Sequence, residues 1–191
     1  MEDYIKYRWF FTLSGKLVIG GKSARQNDDL LKKIKAQDKE RVVMHTSEPG
    51  SPFCVMMSEV ENLSQQDLRE CAIFTGCFSR AWREGKRTAS VDIFKLSQLH
   101  KGRDMQEGTW GVYGTVQSTT VPLELTMTRQ HKILRAVPES SAPSSKIKIT
   151  PGSISKEDIL PKLEIELNEP LSKDEVLSAL PSGSFKTSTI K

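Results

Sequence analysis

The stretch SQQDLRECAIFTGCFSRAWREG, residues 64–85, decides the fold class. Ser64 followed three residues later by Asp67 has the form of a helix capping box. Leu68, Cys71, Ala72, Thr75, Phe78 and Trp82 then recur at helical intervals until Gly85. The spacing predicts one helix over residues 65–83, with Leu68, Cys71, Thr75, Phe78 and Trp82 turned toward a sheet. Trp82 lies on that apolar stripe and is read as core rather than as a stacking surface.

Working outward toward the N-terminus, residues 7–13 and 16–19 are short apolar runs around Ser14-Gly15, a predicted β-hairpin broken after its second strand by Gly20-Gly21. Asn27 is the expected cap of a helix that contains Leu30, Leu31 and Ile34 and ends in lysines. Residues 41–44 and 53–57 read as strands around the Pro49-Gly50-Ser51-Pro52 turn. Toward the C-terminus, strands are expected over residues 89–94, 109–116, 121–127 and 133–137, with turns near Ser118-Thr119 and Arg129-Gln130. Paired strands with only two main helices predict an α+β fold on a mixed or antiparallel sheet, not a doubly wound one. Residues 139–145, ESSAPSS, have linker composition and divide residues 1–138 from 146–191. The last segment, with helices expected from Ser155 and Ser172, is too small to be stable alone. It is expected to be a helical appendage that packs on the body or orders on a partner.

Composition narrows the classes. Of 191 residues, 37% are hydrophobic and 27% charged, the balance of a self-supporting globular chain. No stretch approaches the roughly 20 apolar residues of a membrane span, so no membrane partner and a cytoplasmic setting are expected. The three cysteines, Cys54, Cys71 and Cys77, form no CxxC pair and are read as reduced core residues. The net charge of +4 is mild but unevenly placed. Residues 80–103 carry Arg80, Arg83, Lys86, Arg87, Lys95, Lys101 and Arg103 against only Glu84 and Asp92. Interleaved with Trp110 and Tyr113 farther on, this suits phosphate neutralisation and base stacking.

Catalysis finds little support. His45 ends a strand beside Thr46 and Ser47, yet no partner carboxylate or nucleophile motif accompanies it, so no catalytic residue is assigned. His100 and His131 lack metal-ligand spacing, and no metal is expected. Ile19-Gly20-Gly21-Lys22 can approach an anion, but it is not GxxxxGK[ST], so no nucleotide cofactor is expected and Lys22 is a candidate phosphate contact.

Taken in order, Tyr7-Arg8-Trp9-Phe10, LVIGGKSARQNDDL, VVMHTSEPGSP, CFSRAW, Ser97-Gln98-Leu99-His100-Lys101 and Gly108-Thr109-Trp110 resemble the NFACT RNA-binding module. That module occurs in the nuclear export mediator factor family and in bacterial fibronectin-binding-like proteins. KIKITPG at residues 146–152 and Ala179-Leu180-Pro181 look like the family's small C-terminal segment. The sequence departs from the family pattern at Ser23, where Asp is usual, at Thr46, where an acid often follows the His, and at Tyr113, where a base is common.

The resemblance implies a non-catalytic module that engages tRNA or ribosomal RNA on the large ribosomal subunit in quality control of stalled translation. The family's long proteins add an N-terminal domain and coiled coil, so a separate chain supplying that domain is an expected partner, and tail elongation is not carried over. The candidate RNA contacts are Lys22, Arg25, Arg80, Arg83, Lys86, Arg87 and Lys101, with Asn27 and His45 orienting the surface and Trp110 or Tyr113 stacking. The competing functions are a protein-interaction adaptor of a translation or degradation complex and an accessory RNA-binding factor in tRNA modification.

Overall fold

The computed structural model describes residues 3–190. The first sheet begins with the expected hairpin, β1 (Arg8–Phe11) and β2 (Leu17–Gly20), and a helix α1 (Ala24–Lys35) follows. Next come β3 (Val42–Thr46), β4 (Cys54–Met56), helix α2 (Gln65–Cys77), the single turn α3 (Arg80–Arg83) and β5 (Thr88–Lys95). A two-stranded ribbon of β6 (Leu99–His100) and β7 (Gly111–Val112) leads to β8 (Gln117–Pro122). The six strands run in the order β1-β2-β4-β3-β5-β8, and every pair is antiparallel. The molecule is α+β, as the pattern of short paired strands requires.

Both faces of this sheet are covered, which is why its strands read as nearly continuous apolar runs. Trp9, Ile19, Val43 and Val55 meet Leu30, Leu31 and Ile34 of α1. Phe10, Val18, Met44, Cys54, Met56, Val91 and Val121 meet Cys71, Ala72 and Phe74 of α2. Each large side chain fully buried here contributes about 1.5–3 kcal/mol. The three cysteines are buried free thiols, and burial pushes the Cys54 thiol up to about 12.

Two helix expectations are corrected. The helix from residue 65 is two helices. Ser79 leaves helical geometry at φ −94° and ψ 174°, its hydroxyl donates to the Gly76 carbonyl, and it accepts from Ala81 N–H as the cap of α3. Cys71, Thr75 and Trp82 are buried as expected, Trp82 in the core shared with the C-terminal region, while Leu68 and Phe78 are half-buried against the core of Cys71. Helix α1 starts before Asn27, because Ser23 accepts from Gln26 N–H and caps it. Ser23 thereby fills the capping role open to the Asp usual in the family.

The C-terminal region forms a second sheet from β9 (Leu125–Gln130), β10 (Ile133–Val137), β11 (Ile147–Ile154) and β12 (Phe185–Thr189), in the order β10-β9-β11-β12. It draws strands from both sides of residues 139–145, within which Ala142 is buried. Helices α4 (Lys156–Leu167) and α5 (Lys173–Ala179) are capped by Ser155 and Ser172 as expected, but strands flank them, so the appendage is not purely helical. The expected strand over 121–127 breaks at Leu123-Glu124, where the chain leaves one sheet for the other. Ser118-Thr119 lies inside β8, and the later turn falls at His131-Lys132, both at positive φ. Trp82, Cys77 and Ala81 share one core with Leu134, Ile149, Ile159 and Phe185, and Trp82 Nε1 donates to the Ser184 carbonyl. The Gln130 amide accepts from Phe11 N–H and donates to the Phe11 carbonyl, taking the place of a neighbouring strand along the edge of β1. Among the described residues, no helix is long and apolar enough to cross a membrane.

Candidate nucleic-acid interface

The ends of β1, β2, β3 and β4 meet at one side of the first sheet, and there the chain leaves a cleft of about 620 Å³. Its walls come from residues 21–24 at the start of α1, from the 46–53 loop, from Ser79, Arg80 and Arg83 around α3, and from residues 107–110. Two glycines make the walls close. A Cβ on Gly21 would collide with the Asn27 side chain, whose Oδ1 accepts from Phe53 N–H and ties α1 to the entry of β4. Gly50, at φ +107°, lets its carbonyl accept from Arg80 N–H at 2.8 Å while the Arg80 side chain lies against it.

Four cations line the cleft: Arg8, Lys22, Arg80 and Arg83. Among the described residues none of the four forms an ion pair. Burial pulls the Arg8 guanidinium below its ordinary value, and it lies 4.9 Å from the centre of the Phe78 ring. Lys22 is also lowered, by desolvation and by repulsion from Arg8 and Arg135, so an arriving anion would relieve unfavourable charge.

His45 packs on Phe53 with ring centres 4.4 Å apart and the rings tilted by 34°, and its Nδ1 donates to the Thr46 carbonyl at 2.6 Å. Burial lowers its pKa, and the Thr46 carbonyl, Asp92 and the Ser51 backbone oppose that shift without cancelling it. Asp92 faces His45 in register across β3 and β5, and Ser118 follows in the same row on β8.

The structure separates the sequence-derived candidates. Lys22, Asn27, His45, Arg80 and Arg83 come together in the cleft. Lys86 lies outside it, paired with Glu48 at 2.8 Å and Glu84 at 3.1 Å, and lines a neighbouring hollow of about 340 Å³ with Arg80. Arg25 and Arg87 are exposed beyond the cleft.

Lys101 is structural. Its ammonium bonds Asp28 and the carbonyls of Gln106 and Thr109, using all three donors. Trp110 is 9% exposed and its Nε1 donates to Asp28 at 2.7 Å, so although it borders the cleft it is a packing residue. Tyr113 is 63% exposed and stacks on His100 at 3.9 Å, away from the cleft lining.

Arg8, Phe53, Phe78 and Asp92 line the cleft and are absent from the sequence-derived set. The alternation in Arg8-Trp9-Phe10 carries a signal for Arg8, since a strand with Trp9 buried on one face turns Arg8 to the other. Asp92 carries only the signal of a lone acid inside a basic segment.

A family model described as NFACT protein RNA binding domain matches residues 6–114, more than half of the chain and every residue that lines this cleft except Ser182. The chain is 28% identical over 193 residues to the archaeal Rqc2 homolog aRqcH of Methanocaldococcus jannaschii, a match that covers 94% of this chain. It spans 28% of that relative's length. The C-terminal structure of the fibronectin/fibrinogen-binding protein from Streptococcus suis superposes with a TM-score of 0.51 at 21% identity. That superposition covers 61% of this chain and 44% of that one, and it shows a shared fold alone. Motif order, fold and family match therefore agree: the chain belongs to the NFACT protein RNA binding domain family.

Proposed function

We propose that this chain is a non-catalytic module that grips tRNA or ribosomal RNA in the cleft at the end of the first sheet. The observation that carries the reading is the convergence of Arg8, Lys22, Arg80 and Arg83, all without acidic partners among the described residues, around one concave site. Unpaired cations release counterions when they meet phosphates, and they position a nucleic acid without reading its sequence. The relative aRqcH is an Rqc2 homolog, which supports a role in ribosome-associated quality control; the large ribosomal subunit is the partner this reading expects.

The test is binding of purified protein to tRNA and to ribosomal subunits over a range of salt. Affinity should fall with a logarithmic slope of roughly 2 to 3, about 0.7 for each single-strand phosphate contacted. Salt-insensitive capture of a protein partner with no RNA present would sink the proposal and favour an adaptor.

A further inference from the structure

The cleft is not uniformly basic. Its exposed edge carries Lys22, Arg80 and Arg83, whereas Asp92 and the desolvated Arg8 line it with less exposure, and at Asp92 a phosphate would be repelled. Asp92 is held in place: Oδ1 accepts from Ser47 Oγ and from Ser118 Oγ, each at 2.6 Å. Among the described residues, Oδ2 has no hydrogen-bond partner and Asp92 forms no ion pair. Beside it lie the rings of His45, Phe53 and Phe94, an apolar wall next to a fixed acceptor. A volume of about 620 Å³ falls within the roughly 300–1,000 Å³ of small-molecule sites and accommodates one nucleotide, whereas a duplex cannot enter it.

From this separation of charge we infer that the cleft takes a single unstacked nucleotide with its phosphate on the cationic rim and its base turned inward against Asp92, and that guanine is the preferred base. This rests on the cleft being an RNA site. Unpaired bases are the ones whose edges a protein can read in RNA. A carboxylate accepts only, so it favours an edge of donors and is repelled by ring nitrogens and carbonyls that also accept. Adenine and cytosine place an acceptor nitrogen beside their amino group, and uracil flanks its one N–H with two carbonyls. Guanine alone offers two adjacent donors, N1–H and the N2 amino group. Glu107, the other acid of the lining, sits in the 107–110 wall rather than in the row of His45, Asp92 and Ser118.

The experiment uses the full chain and 5′-labelled pentauridylates whose central base is uracil, adenine, cytosine, guanine or hypoxanthine, read by fluorescence anisotropy at several salt concentrations. Wild-type protein should bind the guanine pentamer about tenfold more tightly than the uracil one, with hypoxanthine, which lacks the amino group, in between. Asp92→Asn should remove the guanine preference and leave the salt slope unchanged, its fold checked by thermal melting. Equal affinity for all five pentamers with a steep salt slope would overturn base reading and leave the RNA site standing. A guanine preference that survives in Asp92→Asn would overturn the role of Asp92, and no salt-dependent binding to any RNA would remove the site itself.

Discussion

At the scale of single residues, Asp67 shows how one side chain serves two structures. Its Oδ2 accepts from Ser64 N–H and Oγ to cap α2, while its Oδ1 accepts from Thr12 and Ser14 in the β1–β2 turn. Burial alone would push the carboxyl up, but the hydroxyls of Ser14 and Thr12 and the Ser64 donors outweigh it and bring the pKa from 3.8 to about 2. A depressed acid stabilises the fold above its unfolded pKa, and that stabilisation, roughly 2 kcal/mol, is lost as pH falls from about 4 to about 2. Denaturant titrations across this window should show the loss in wild type and a flatter response in Asp67→Asn, which starts about 1–3 kcal/mol less stable. Gly21 is constrained sterically: Gly21→Ala should lower stability by about 1–3 kcal/mol, since the new methyl displaces Asn27, and should weaken RNA binding with it. Thermal melting and anisotropy on the same samples check both effects.

The short helix α3 divides the basic cluster that the sequence presents as one. Arg80 and Arg83 lie in the cleft, whereas Lys86 and Arg87 follow Gly85, which at φ +71° turns the chain away. The double variant Arg80→Gln with Arg83→Gln should therefore lower RNA affinity and reduce the salt slope by about 1.4, two contacts at roughly 0.7 each. Lys86→Gln with Arg87→Gln should change the slope little, because Lys86 is already shared by Glu48 and Glu84. Equal losses in the two double variants would place the RNA across the whole cluster instead. The division is partly legible from residue spacing, since Arg80 and Arg83 stand three apart and share a face of any helix, while Lys86 and Arg87 follow Gly85 and are free of it. The restart at Ser79 is not legible, because a serine between Phe78 and Arg80 looks like any helix-interior serine until its hydroxyl is seen on Gly76.

In the whole molecule, the first sheet and the C-terminal sheet are joined through Trp82, which is buried among residues of both and bonded to Ser184. Cutting the chain after residue 145 should therefore expose β9 and the Trp82 core. The shortened protein should be aggregation-prone and lack the single cooperative melting transition expected of residues 1–191, as calorimetry can show. Periodicity, capping residues and turn glycines sufficed for the α+β class, the first hairpin and the caps at Ser64, Ser155 and Ser172, because these depend on neighbours within a few residues. The motif order sufficed for the family. Tertiary structure alone decided that Lys101 and Trp110 serve Asp28, that Arg8 and Asp92 join the cleft, and that β9 and β10 belong with β11. Those outcomes depend on which strand ends meet and which buried charge needs a partner, and contacts between residues tens of positions apart leave no period in the chain.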